Sequence, residues 1–142
     1  MSVATVTHIF AIAANSLWEM IGDFGNTGKW SGRPPEACVQ EGSGIGAIRT
    51  LTLADGRVIV DRLEAHGEYY YSYSIVTSPL PVQSYRATMS VAPLTDDSCV
   101  FTWSGSIEPA GMTDEQSVAF FEAIYRMGIG LMNRNIAALH ID

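Results

Sequence analysis

Between residues 37 and 107 the chain repeats one pattern six times: a short stretch of alternating apolar and polar side chains, closed by a turn signal. The stretches fall at about 37–41, 46–53, 57–65, 68–77, 84–93 and 98–107. They are separated by Gly42-Ser43-Gly44, Asp55-Gly56, His66-Gly67, Ser78-Pro79-Leu80-Pro81 and Asp96-Asp97. Alternation with a period of two turns one face of each strand toward a core, and such short links join only antiparallel neighbours. A seventh strand is expected at 3–12, followed by a helix over Leu17–Ile21 that Asn15-Ser16 caps and Gly22 ends. Residues 24–35 are crowded with turn formers and allow at most a short second helix and a loop. After the last strand the period changes. Thr113-Asp114-Glu115-Gln116 reads as a capping box, and apolar side chains or glycine at 120, 121, 124, 128, 131, 132 and 139 form the stripe of one long amphipathic helix. With no repeat, linker or low-complexity stretch, residues 1–142 are expected to form a single α+β domain. In it, a curved seven-stranded antiparallel sheet wraps the C-terminal helix.

A chain of 142 residues buries roughly 68–70% of its unfolded surface, so the fold needs neither disulfide nor metal staples. Eight Lys and Arg against fifteen Asp and Glu give a net charge of −7, which excludes nucleic acid and anionic membrane surfaces as expected partners. Cys38 and Cys99 stand alone, and His8, His66 and His140 are scattered, so no metal is expected. The N-terminus lacks the pattern of a signal peptide, and no run approaches a membrane span; a cytoplasmic monomer or homodimer is the expectation. Gly42-Ser43-Gly44-Ile45-Gly46 lies between two strands rather than before a helix, so no nucleotide cofactor is expected either. No Ser/His/Asp or Cys/His constellation can be assembled, which disfavours nucleophilic catalysis. What composition leaves to explain is fourteen aromatic rings beside few charges.

Strand alternation assigns many of those rings. The inward sets are Cys99, Phe101, Trp103 and Ile107 on the last strand, Tyr85, Ala87, Met89 and Val91 on the one before it, and Tyr71, Tyr73 and Ile75 on the third from last. The hairpin at Asp55-Gly56 sets a sharper condition. A two-residue turn would face Arg49 with Arg62, whereas a three-residue Ala54-Asp55-Gly56 loop with Gly56 left-handed faces Arg49 with Asp61. The second register also aligns Leu51 and Leu53 with Ile59 and Leu63. It directs a charged pair inward, where core packing would otherwise place aliphatics. As chemistry, Asp61 is the candidate general base, Arg49 a candidate oxyanion stabiliser, and Tyr73 and Tyr85 candidate donors to an enolate. The bland alternative is a structural ion pair. Gly128 and Gly130 sit inside the helix at about 1 kcal/mol each relative to Ala; Gly128, on the inward stripe, leaves either an empty volume or a close helix-to-sheet contact.

Taken together, several stretches resemble the helix-grip fold of the START, birch-pollen-allergen and polyketide cyclase/dehydrase group (SRPBCC). They are Leu17–Gly25 with Trp30, Gly46–Leu51, Asp61–Ala65, Tyr73-Ser74-Ile75 and Trp103-Ser104-Gly105. The resemblance spans nearly the whole chain and is closest to the polyketide cyclase/dehydrase branch. It implies a hydrophobic ligand cavity between sheet and helix, lined by Trp30, Leu51, Leu53, Ile59, Tyr71, Ile75, Leu80, Ala87, Met89, Phe101, Trp103, Phe120, Phe121, Ile124, Gly128 and Leu131. Plant abscisic acid receptors share the fold and carry a pocket Arg and Glu where this chain has Arg49 and Asp61; 53–56 and 78–81 look like their entrance loops. Where they place a ligand-gripping Lys, Trp30 is here followed by Ser31, so no hormone-receptor role is implied. The implied function is cyclisation or dehydration of a hydrophobic, carbonyl-bearing small molecule without metal or nucleotide. The alternatives are a non-catalytic carrier or sensor of a lipid or aromatic metabolite, and a domain whose cavity is vestigial.

Overall fold

The computed structural model describes residues 1–139. Strand β1 (Ser2–Phe10) leads into helices α1 (Ala14–Ile21) and α2 (Gly28–Ser31), then a single 3₁₀ turn at Pro35–Ala37. Six strands follow: β2 (Cys38–Glu41), β3 (Ile48–Thr52), β4 (Val58–Gly67), β5 (Tyr70–Thr77), β6 (Val82–Thr95) and β7 (Ser98–Pro109), before α3 (Asp114–Leu139). The strands form one antiparallel sheet in the order β1-β7-β6-β5-β4-β3-β2. This is the expected curved sheet around a long helix, with α3 packed chiefly on β1, β7 and α2. No helix of the described residues is long and apolar enough to cross a membrane.

Arg49 pairs with Asp61 as the charge argument required, and Leu51 pairs with Ile59. The loop closes through Gly56 N–H to Leu53 C=O (2.9 Å) and Leu53 N–H to Arg57 C=O (2.8 Å). Gly56 has φ +89°, a conformation that a side chain would strain. Two bulges flank Asp61. Glu64 is an extra residue on β4 between the Leu63–Tyr73 and Ala65–Ser72 pairs, and Val76 is an extra residue on β5 between Asp61–Ile75 and Val60–Thr77. Beyond the Ser74–Arg86 pair, β5 and β6 separate, which leaves the 78–81 loop on splayed strands.

Two local expectations change. Helix α1 begins one residue before Asn15, with Ala13 as its N-cap and no side-chain cap; burial of Ala14, Leu17, Met20 and Ile21 holds it instead. On α3 the capping box forms as expected, Gln116 N–H donating to Thr113 Oγ1 and Thr113 N–H to Gln116 Oε1. The inward stripe, however, runs through Ser117, Phe121, Tyr125, Gly128, Ile129, Met132 and Ile136, while Phe120, Ile124 and Leu131 are half-buried at its edge. Tyr125 is fully buried because its hydroxyl occupies a niche over Gly105, where β7 has no side chain. An amphipathic ring reads as neutral in a hydropathy pattern, which is why the stripe shifts in phase. His140 lies outside the described residues.

Gly128 creates contact rather than space. A methyl added there would lie 2.6 Å from Trp103 Cζ3. Trp103 cannot yield easily, since it is stacked on Tyr125 (centroids 4.7 Å apart, 18°) and edge-on to Trp30 (6.2 Å, 89°). On an exposed helix Gly→Ala would gain about 1 kcal/mol. Here Gly128→Ala is expected to lose about 1–3 kcal/mol by overpacking, read from urea denaturation; a gain would show that Trp103 has room to move.

Candidate functional site

Arg49 and Asp61 lie side by side on the inner face of β3 and β4, with 4% and 2% of their side chains exposed. Both contacts to the carboxylate go to one oxygen: Arg49 Nε donates to Asp61 Oδ2 at 3.2 Å and Nη2 at 2.8 Å. Nη1 donates to the Phe24 carbonyl (3.1 Å) and to the Tyr71 hydroxyl (3.3 Å). The Phe24 and Tyr73 rings lie against the guanidinium at 4.2 and 5.0 Å from its carbon, a cation–π arrangement that partly replaces lost water. Asp61 Oδ1, equally buried, accepts no hydrogen bond. Loss of hydration raises the Asp61 carboxyl above the ordinary carboxylate value even though Arg49 pulls it down.

A second polar cluster continues inward from this pair. Trp103 Nε1 donates to the Tyr73 hydroxyl (3.1 Å), and the Tyr85 and Tyr125 hydroxyls are hydrogen-bonded to each other. Burial raises the phenol of Tyr73, raises that of Tyr85 well above its ordinary value, and pushes Tyr125 up to about 12. These groups therefore stay protonated and act as hydrogen-bond donors at neutral pH.

The expected lining residues fall into two sets. Tyr71, Tyr73, Tyr85, Ala87, Met89, Phe101, Trp103, Phe121 and Gly128 are buried and packed against one another, with Tyr85 stacked on Phe121 at 4.6 Å. The interior that the resemblance implies as a cavity is thus largely occupied by rings; Trp30, also buried, joins this set. Leu51, Leu53, Ile59, Ile75, Leu80, Phe120, Ile124 and Leu131 are instead half-buried and belong to the hairpin end of the sheet and the edge of α3. Of two clefts, the first approaches the ion pair. One of about 410 Å³ reaches Phe24, Leu63 and Tyr71 between α1 and the β4–β5 turn; the other, of about 320 Å³, lies in the splayed β5–β6 hairpin and reaches Ile75, the strand partner of Asp61. Sequence reasoning missed Tyr125 and Phe24. Tyr125 was legible as the residue four after Phe121, whereas Phe24 contributes a backbone carbonyl that no side-chain pattern reports. His8 meets Asn133 on the surface and His66 sits on the rim of the first cleft. Among the described residues no three His, Cys, Asp or Glu side chains converge.

The sheet curved around α3 is a helix-grip fold with a buried polar centre. The chain belongs to the family of polyketide cyclase/dehydrase and lipid transport proteins, which it matches over residues 1–137. Its fold is shared with the protein XoxI from Bacillus cereus (28% identity, all of both chains, TM-score 0.86). It is also similar to a START superfamily protein from Mycobacterium smegmatis (12%, 97% and 99% of the two chains, 0.76) and to norcoclaurine synthase from Thalictrum flavum (18%, 99% and 87%, 0.71). No curated protein is matched by the sequence.

Removing one charge should hurt more than removing both. Arg49→Met strands a buried carboxylate and leaves the Phe24 carbonyl without its donor, and is expected to lower stability by about 3–5 kcal/mol, whereas Arg49→Met with Asp61→Leu should recover most of that loss. A double variant no more stable than the single one in urea denaturation would contradict this. The titration follows from the raised carboxyl. With an unfolded value near 3.8 and a higher folded one, the contribution of Asp61 is fully present below 3.8 and is lost as pH rises through the folded pKa. A carboxyl ¹³C titration should place Asp61 above 3.8; a midpoint below it would reverse the sign.

Proposed function

We propose that this protein takes a hydrophobic, carbonyl-bearing small molecule between its sheet and α3 and promotes its cyclisation or dehydration, with Asp61 as the acid-base group. The observation that carries the reading is the half-satisfied carboxylate: Oδ2 is held by Arg49 while Oδ1, in a nearly dry interior, accepts nothing. Partial desolvation raises such a carboxylate toward the range useful for proton transfer, and a neighbouring guanidinium keeps it from staying permanently protonated. In the proposed reaction Oδ1 takes a proton from the carbon beside the carbonyl, and the C–H electron pair forms an enolate. That pair then either expels a β-hydroxyl, which leaves as water with the proton held by Asp61, or attacks a second carbonyl to close a ring, with the proton delivered to the new alkoxide. The Tyr73 O–H is the donor assigned to the enolate oxygen. Arg49 changes role relative to the sequence expectation: four of its N–H groups face Asp61, Phe24 and Tyr71, so it positions the base rather than the oxyanion. Tyr85, tied to Tyr125, is likewise assigned to positioning.

The occupied interior favours a second reading, a carrier that shelters its ligand without turnover. The two part on a simple assay. With an aromatic β-hydroxy ketone, dehydration to the absorbing enone is expected to fall by about 10²-fold or more in Asp61→Asn, as for loss of a general base. Binding should stay within a few-fold, checked at a temperature where circular dichroism shows the variant folded. Unchanged turnover in Asp61→Asn sinks the acid-base role, and a bound small molecule retained in native mass spectrometry without product establishes the carrier.

A further inference from the structure

We infer that the molecule this site selects is a neutral hydroxyl donor, a phenol or enol, and that the site discriminates against carboxylates. The inference rests on the reading that the interior takes a small molecule, and it names the chemistry of recognition there. Seven of the eight Lys and Arg side chains are exposed, and Arg49 is the one that is buried. Four of its five N–H donors are already directed at Asp61, the Phe24 carbonyl and Tyr71, so a ligand carboxylate would find no bidentate partner there and would face the negative Oδ1. A ligand cation fares little better, because a guanidinium 2.8 Å from the other carboxylate oxygen already balances the charge. The vacant function is an acceptor, Oδ1, with no partner although Asp61 is almost wholly buried. A neutral O–H satisfies it with a charge-assisted hydrogen bond and adds no net charge to the interior. The open space nearest the pair is the cleft between α1 and the β4–β5 turn, whose wall includes Phe24 and Tyr71, the groups that share Arg49 with Asp61; Oδ1 itself lies behind that wall, so an O–H reaches it as these side chains part.

A site with a buried acceptor rejects the analogue that lacks the donor, because the acceptor is then left desolvated and unpaired. Three probes of one shape test this by fluorescence titration of the wild-type protein: β-naphthol, β-methylnaphthalene and β-naphthoate. The expected order is β-naphthol tightest, by about tenfold or more over β-methylnaphthalene, with β-naphthoate weakest. In Arg49→Met with Asp61→Leu the hydroxyl preference should vanish while β-methylnaphthalene still binds. A measurement independent of that variant's folding is the carboxyl ¹³C signal of Asp61 in the wild type, which should move with β-naphthol and stay fixed with β-methylnaphthalene. Equal binding of the hydroxyl and methyl probes, or tightest binding of the naphthoate, overturns the inference and leaves the interior-binding reading intact. Binding of none of the three overturns both.

Discussion

The contact on which the rest of the molecule depends is the buried Arg49–Asp61 pair. Removing two charges from water costs several kcal/mol per ion even after relaxation, and is tolerated only where geometry and further hydrogen bonds compensate. Each compensation comes from a different part of the chain. The β3–β4 register opposes the charges, and the left-handed Gly56 permits the three-residue loop that sets that register. The link between α1 and α2 delivers the Phe24 carbonyl and ring, and β5 supplies the Tyr71 hydroxyl and the Tyr73 ring. A one-residue slip in β3 would turn Arg49 to solvent and leave Asp61 alone. The pair therefore acts as a register lock whatever else it does.

Two missing side chains seat the helix against this sheet. At Gly105 the bare backbone of β7 accommodates the Tyr125 hydroxyl and the edge of Tyr85, and at Gly128 the bare backbone of α3 admits Trp103. One glycine lies on the sheet and one on the helix, so the two surfaces interlock: a tyrosine projects from helix to strand and a tryptophan from strand to helix. Of the phenol and indole N–H groups that this packing removes from water, Trp103 finds a partner in Tyr73 and Tyr85 in Tyr125, while the Trp30 N–H has none. Pairing offsets the cost of burying such groups. The aromatic excess in a charge-poor chain is this interlock.

Much of this was legible in the sequence because it rests on strict periodicities and on charge. Period two located the strands, a capping box located the start of α3, and the unfavourable facing of Arg49 with Arg62 selected the hairpin register. The start of α1 was misread because Asn15-Ser16 looks like a cap, whereas burial of one face decides where so short a helix begins. Gly128 could not be resolved without the fold, since the residue that fills its space, Trp103, comes from β7, and only the packing of α3 on the sheet brings the two together. The vacant oxygen of Asp61 was equally out of reach. Sequence pairs residues, but it does not reveal that both Arg49 donors converge on the same oxygen.

On the proposed reading, the division between a packed interior and a half-buried rim separates affinity from selectivity. Leu51, Leu53, Ile59, Ile75, Leu80, Phe120, Ile124 and Leu131 still expose part of their apolar surface. Covering such a half-exposed side chain is worth roughly 1 kcal/mol, about half of full burial. Summed over the rim this is comparable to the lower range of what association costs in lost freedom and ordering, roughly 4–15 kcal/mol, so apolar contact alone yields weak and indiscriminate binding. Discrimination then falls to Asp61 Oδ1, a buried charged acceptor that no protein group satisfies. The cleft between α1 and the β4–β5 turn matters for the same reason: its wall includes Phe24 and Tyr71, the groups that share Arg49 with Asp61. Opening that wall leaves untouched the interlock of Trp103 and Tyr125, which line no part of the cleft and on which the stability of the grip rests.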